Sequence, residues 1–335
     1  MSDAKVQSLV LNEIFRLPPA DAGDPFNFIN EAILFLSRWS TAYAGPIAHG
    51  SPAYACLVGC ERINTDIAGM TDCQEKKLFK EDTPADLLGK IYYCSHSFAK
   101  IFSRTVPCAS FSDCEAALTQ GALSGRPIVF YNAAERRILW RLNGTDELRQ
   151  MVFRPPSEAK LTTGNFDELL EDFHHNYTET PQGYTRPWSN ATKLITKQRL
   201  EEEIRDDLFI YLKQLSAHPM AVLREFHNSA GRTDLLIWFQ GENKIFYVEL
   251  KVLRGKVAVN AAKHIEWGKE GIAQAYSYRR LQPKQPGVGY ACCFDARDEN
   301  KEIPELVEFA KEKEVQYRRY FMFPSAKDMR TTFMN

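Results

Sequence analysis

Between Thr196 and Leu215 the apolar residues Leu200, Ile204, Leu208, Tyr211, Leu212 and Leu215 recur at helical spacing and predict an amphipathic helix. Beyond it the period shortens. Val222 to Phe226 reads as a short strand, and Arg232 to Phe239 and Lys244 to Val252 read as two longer ones joined by the turn residues Gln240 to Asn243, a β-hairpin. Ala261 to Arg280 is helical, Gly289 to Phe294 a buried-looking strand, Pro304 to Lys313 a helix, and Gln316 to Phe323 a last strand with aromatic content. The predicted order is α-β-β-β-α-β-α-β, an α/β (α+β) succession.

Upstream, Val6 to Phe15 reads as a short helix stopped by Pro18 and Pro19, and Asn27 to Tyr43 as a longer one with Ala32, Phe35, Leu36 and Trp39 on its packed face. Ser51 to Ile63 alternates small and apolar residues, Ala85 to Phe102 reads as a further helical stretch, and Pro127 to Tyr131 with Arg137 to Leu142 resembles a hairpin. This is an α+β unit whose fold the pattern does not name. Asn165 to His174 is one more amphipathic helix, with His174 and His175 read as an exposed pair without a role. Asn176 to Asn190 is rich in Thr, Pro, Gly, Asn and aromatic residues, which suggests a linker. The expected domains are 1–175 and 196–335, with the linker at 176–195.

Composition changes this picture little. At 335 residues, 44% hydrophobic and 25% charged, the chain is long enough for two cores, and a formal net charge of -1 excludes a global basic field, so any nucleic-acid surface is local. The apolar run Ala32 to Leu36 is too short to cross a bilayer, and a soluble, cytoplasmic protein is expected. Eight cysteines are expected to be reduced; Cys56 and Cys60 with Cys73, or Cys94 with His96, fit no common zinc spacing and read as buried thiols.

The chemistry sits on the hairpin. Alternation puts Tyr247, Glu249 and Lys251 on one face and turns Phe246, Val248, Leu250 and Val252 into the core. Asp234 can meet Glu249 across the hairpin if the strands diverge there, and two carboxylates facing one point suit a hard divalent cation, magnesium first. Glu201 lies at the edge of the buried stripe of the first helix, Glu202 and Glu203 read as more exposed, and Glu225 is a further candidate acid. Glu-x-Lys alone arises readily on solvated strands; its conjunction with Asp234, an upstream acid-bearing helix and Gln274 is the stronger signal.

Asp234, the Glu249-x-Lys251 pair and the order of elements resemble the PD-(D/E)xK nuclease superfamily over residues 196–323, with Thr233 where the motif has proline. Gln274 and Tyr278 look like the Gln-x-x-x-Tyr element of the branch containing recombination exonucleases, and Glu201 resembles the helical acid beside the metal. The resemblance implies a restriction-endonuclease-like mixed sheet flanked by helices. It implies that Asp234, Glu249 and the Leu250 carbonyl bind Mg2+, with Mn2+ as a substitute, and that Lys251 polarises the attacking water or stabilises the phosphorane. Gln274 would orient substrate or the lysine, with Tyr278 in support. The implied activity is a nuclease, DNA ahead of RNA, with a homodimer by analogy, and the modular layout suggests a setting in DNA processing or defence.

The chain is locally basic here, and Lys256, Lys263, Arg279 and Tyr278 are candidate nucleic-acid contacts beside a substrate-flanking loop, 254–260. Trp267 and Tyr276 can stack a base, but core packing is the favoured reading. The N-terminal unit would then sense a ligand, bind a protein partner or select substrate. Two other readings stay open: a catalytically silent DNA-binding or assembly subunit of the same fold, and chemistry at the N-terminal cysteines.

Overall fold

The computed structural model of the chain describes residues 25–42, 54–70, 72–75, 87–96, 98–106, 110–120, 123, 125–144, 146–153, 161–216, 222–228, 231–239, 242–255, 260–280 and 287–334, which leaves the expected helix Val6 to Phe15 outside. They belong to two units, Met1–Phe153 and Arg154–Asn335.

In the first unit, helix α1 (Pro25–Ala42) starts on a proline, which the first turn of a helix tolerates because its N–H needs no partner there. Along the chain follow β1 (Tyr54–Cys60), the single turn α2 (Ile63–Asp66), β2 (Gln74–Glu75), β3 (Lys90–Ser95), β4 (Ile101–Thr105), α3 (Phe111–Gln120), β5 (Ile128–Asn132), β6 (Arg137–Arg141) and β7 (Arg149–Val152). They form one sheet in the order β2-β4-β3-β1-β5-β6-β7, parallel only between β1 and β3. At Gly59 a Cβ would lie 2.6 Å from Pro127 and 2.7 Å from Phe28, so a glycine is what lets α1 approach the central strand. The hairpin Pro127 to Leu142 is present as β5 and β6, but the helix expected over Ala85 to Phe102 is the strand pair β3 and β4. The continuous buried run Ile91 to Cys94 has no helical period, and Gly89 (φ 79) starts it in a backbone conformation that interrupts a helix. Cys56, Cys60 and Cys94 lie within the core, where burial pushes the Cys60 thiol up to about 12 and raises Cys94.

The second unit begins with α4 (Phe166–Phe173), which continues as a π-helical turn (His174–Thr178). Then come β8 (Trp188–Asn190), β9 (Ile195–Thr196), α5 (Leu200–Gln214), β10 (Val222–Asn228), β11 (Gly231–Phe239), β12 (Lys244–Leu253), α6 (Ala261–Arg280), β13 (Gly287–Asp295), α7 (Pro304–Glu312), β14 (Gln316–Phe321) and α8 (Ala326–Met334). The sheet runs β10-β11-β12-β13-β14, antiparallel over its first two pairings and parallel over its last two. Each parallel step is bridged by a helix, α6 then α7, as a parallel neighbour requires. The predicted α-β-β-β-α-β-α-β order is therefore present from α5 to β14, and α8 follows it with none of its residues buried. Among the described residues no helix is long and apolar enough to cross a membrane.

Two expectations change here. Residues 176–195 lie inside the second unit: Tyr177 and Thr185 are buried, and the Trp188 indole N–H donates to the Phe323 carbonyl at 3.1 Å. The aromatic residues that decorate this polar stretch are its anchors. The helix at Phe166 belongs to the same unit, with the Phe166 ring 5.3 Å from Phe246 and 4.9 Å from Tyr290. His174, expected at the surface, is 8% exposed, with Nδ1 2.7 Å from Thr178 Oγ1, and burial pushes its pKa down to about 3. Only His175 faces outward, paired with Glu179 at 2.7 Å.

Candidate active site

Strands β11 and β12 pair from Phe239↔Lys244 to Leu235↔Val248 and then part. Past that point acidic side chains take over the ladder. Asp234 Oδ2 accepts the Leu250 N–H at 2.9 Å, Glu249 Oε1 accepts the Asp234 N–H at 3.3 Å, and Glu201 Oε2, from α5, accepts the Val252 N–H at 3.1 Å. In a strand the N–H and C=O of one residue face the same edge, so the Leu250 carbonyl also faces the opening. Sequence alternation had placed Glu249 and Lys251 on one face, and they share it. That face is enclosed rather than solvated, because Glu249 is 2% exposed and α6 lies against Lys251.

Enclosure sets the electrostatics. Burial, and then the neighbouring Asp234 charge, push the Glu249 pKa up to about 8, with Lys251 acting the other way. Burial also raises Asp234, opposed by the Leu250 N–H, Lys251 and Arg205. Glu201 is raised by burial as well, with the Lys251 ammonium, 3.9 Å from its Oε1, the main opposing influence. Three carboxyls thus act on one lysine, and burial works against the ionised form of each.

Helix α6 closes the site with three positions on one face. At Gly271 a Cβ would lie 2.8 Å from Lys251 Cγ, so the missing side chain makes room for the lysine stem. One turn on, Gln274 Oε1 is buried and has no hydrogen-bond partner among the described residues. Tyr278 is 2% exposed and its hydroxyl donates to the Arg232 carbonyl at 2.8 Å, pinning the start of β11. It is a packing residue and not a nucleic-acid contact, which corrects that expectation.

The other expected nucleic-acid contacts do not converge. Lys256 lies outside the described residues. Lys263 pairs with Glu266 at 2.9 Å in the first turn of α6, whereas the Arg279 guanidinium is bound to Glu314 near its end. At the helical rise these two positions stand about 24 Å apart. Trp267 and Tyr276 pack against the core formed by Ile272, Ala291 and Leu306.

Arg205 was not anticipated. One helical turn after Glu201, it is 7% exposed and its Nη1 lies 2.7 Å from Glu225 Oε1 and 3.9 Å from Asp234 Oδ1. Arg232 Nη1 is 3.1 Å from the same Glu225 oxygen. Its position on the buried stripe, four residues from Glu201, was the one available signal.

Among the described residues no three His, Cys, Asp or Glu side chains are grouped so as to hold a metal by themselves. The donor set at the parting of β11 and β12 is two carboxylates and one carbonyl. That set fits Mg2+, which binds through one or two carboxylates and keeps several waters.

No family model and no curated protein matches the chain. Among solved structures it is similar to Pyrococcus furiosus SfsA, determined in complex with Ca2+, at 16% sequence identity and a TM-score of 0.25, over 56% of this chain and 83% of that one. A likeness at this level carries no argument about fold or function.

Proposed function

We propose that the second unit is a Mg2+-dependent nuclease that hydrolyses phosphodiester bonds, with DNA as the first substrate. The observation that carries this reading is the pair of carboxyls wedged into the parted strands beside Lys251, Glu249 buried and Asp234 partly buried. Each raises the cost of ionising the other in an enclosed place, and a cation bound between them would offset that cost. Asp234, Glu249 and the Leu250 carbonyl would hold the ion, which when bound supplies an acidified water and neutralises charge on the phosphoryl oxygens. Lys251, its stem fixed against Gly271, presents one compact positive charge to the transition state, where the phosphoryl group is most negative. Glu201 holds the Val252 N–H and lies beside the lysine, which limits where the ammonium can go. The open carbonyl oxygen of Gln274 is available to accept a hydrogen bond from the lysine or from the attacking water.

The test is cleavage of labelled single- and double-stranded DNA and RNA by the whole chain with Mg2+, Mn2+ or chelator, for wild type and Lys251→Ala. The expected result is metal-dependent cutting that falls by about a hundredfold or more in the variant. Cutting that survives both chelator and substitution would sink the assignment, and tight binding without cutting would favour the silent DNA-binding subunit.

A further inference from the structure

Glu225 and Asp234 stand opposite each other on β10 and β11, between the paired positions Arg224↔Leu235 and Phe226↔Thr233. Two facing carboxylates on adjacent strands, one of them already a proposed ligand, are the usual makings of a second cation position. Paired metal ions at such sites sit about 3.5–4 Å apart on shared carboxylates. Here the protein has put its own cation there. The Arg205 guanidinium reaches in from α5, 2.7 Å from Glu225 and 3.9 Å from Asp234, and its Nε lies 3.4 Å from Asp206 Oδ1.

Glu225 is committed to this arrangement. Its backbone is left-handed (φ 50), a conformation that a non-glycine residue keeps only where its surroundings over-determine it. Two guanidiniums, from Arg205 and Arg232, hold its carboxylate. A divalent ion bridging Glu225 and Asp234 would have to sit against a buried and permanently charged guanidinium, since arginine cannot shed its proton in a protein. An arginine, unlike a lysine, offers no titration that would clear the position.

We infer that the site takes one divalent ion and not two, because Arg205 occupies the position between Glu225 and Asp234 and supplies the second positive charge itself. This rests on the reading of Asp234 and Glu249 as ligands of the first ion. Asp234 is the shared residue: its Oδ2 accepts the Leu250 N–H on the side of Glu249, and its Oδ1 looks toward Arg205.

The test is the number of Mn2+ ions bound per whole chain, counted by electron paramagnetic resonance or calorimetric titration without substrate. Wild type is expected to bind one ion, lost in Asp234→Ala, and Arg205→Met to bind two. Glu225→Gln is expected to keep wild-type affinity within about threefold, because Glu225 is no ligand and acts only as a distant charge. Two ions in wild type would overturn the inference and leave the nuclease reading intact, as would one ion in folded Arg205→Met. If Arg205→Met does not fold, Glu225→Gln decides, and a loss of affinity beyond about tenfold marks Glu225 as a ligand and overturns the inference. No ion in wild type, or one that Asp234→Ala leaves in place, overturns the nuclease reading and this inference together.

Discussion

Asp234 carries two duties that substitution can separate. Its Oδ2 closes the hydrogen bond that β11 no longer offers to Leu250, and its charge is held where burial disfavours it. Asp234→Asn keeps an acceptor for the Leu250 N–H and removes the charge, so the metal-free protein should melt at the wild-type temperature or above while losing Mn2+ binding. Asp234→Ala leaves that N–H unpaired and should cost about 1–3 kcal/mol. Thermal melts with and without Mn2+ distinguish the two. Gly271→Ala is the complementary probe. The new methyl would crowd Lys251 Cγ, found 2.8 Å from its position, so catalysis should fall by about tenfold or more with Mn2+ affinity unchanged, because no proposed ligand moves. That Asp234, Glu249 and Lys251 come together was legible in the sequence, because strand alternation and hairpin pairing fix which side chains share a face. Arg205 was not, since a charged residue on an amphipathic helix ordinarily marks its solvated face, and here it lies on the buried one.

Element bounds were legible where one period ran uninterrupted, as in α6, whose limits Ala261–Arg280 match the apolar pattern. The pattern misled where composition stood in for packing. Residues 176–195 look like a linker by their Thr, Pro and Gly content, yet Tyr177 and Trp188 tie them down. Residues 85–102 look helical by their apolar count, yet a short buried strand and a helix segment share that signature. The π-helical turn at His174–Thr178 shows what such burial does to titration. His174 stays neutral to about pH 3 in the fold, whereas in the unfolded chain it takes a proton near its ordinary 6.5. The unfolded state therefore binds more protons between these values, and stability falls as pH drops from 6.5 toward 3, by about 1.4 kcal/mol per pH unit, with no effect above 6.5. Denaturant midpoints of wild type and His174→Asn at pH 7 and pH 5 check this, and the variant should lose visibly less. Equal losses would show that His174 titrates normally.

At the scale of the whole molecule, every candidate site residue from Glu201 to Tyr278 belongs to the unit Arg154–Asn335, which has its own five-stranded sheet and core. A fragment of residues 154–335 should therefore melt in one cooperative transition and bind Mn2+ as the full chain does, and a non-cooperative melt would show that the first unit is needed for folding. The mixed α/β architecture of this unit was readable from alternating periods, because parallel strands need helical crossovers and leave that rhythm in the chain. The role of the first unit left no comparable mark, since a buried sheet of apolar strands reports packing and not partners. The most direct measurement is single-turnover cleavage of labelled DNA by the whole chain in Mg2+, comparing wild type with Asp234→Asn under conditions where both are folded. Cutting by wild type that drops by about a thousandfold or more in the variant is the predicted result, and equal cutting by the two proteins would contradict it.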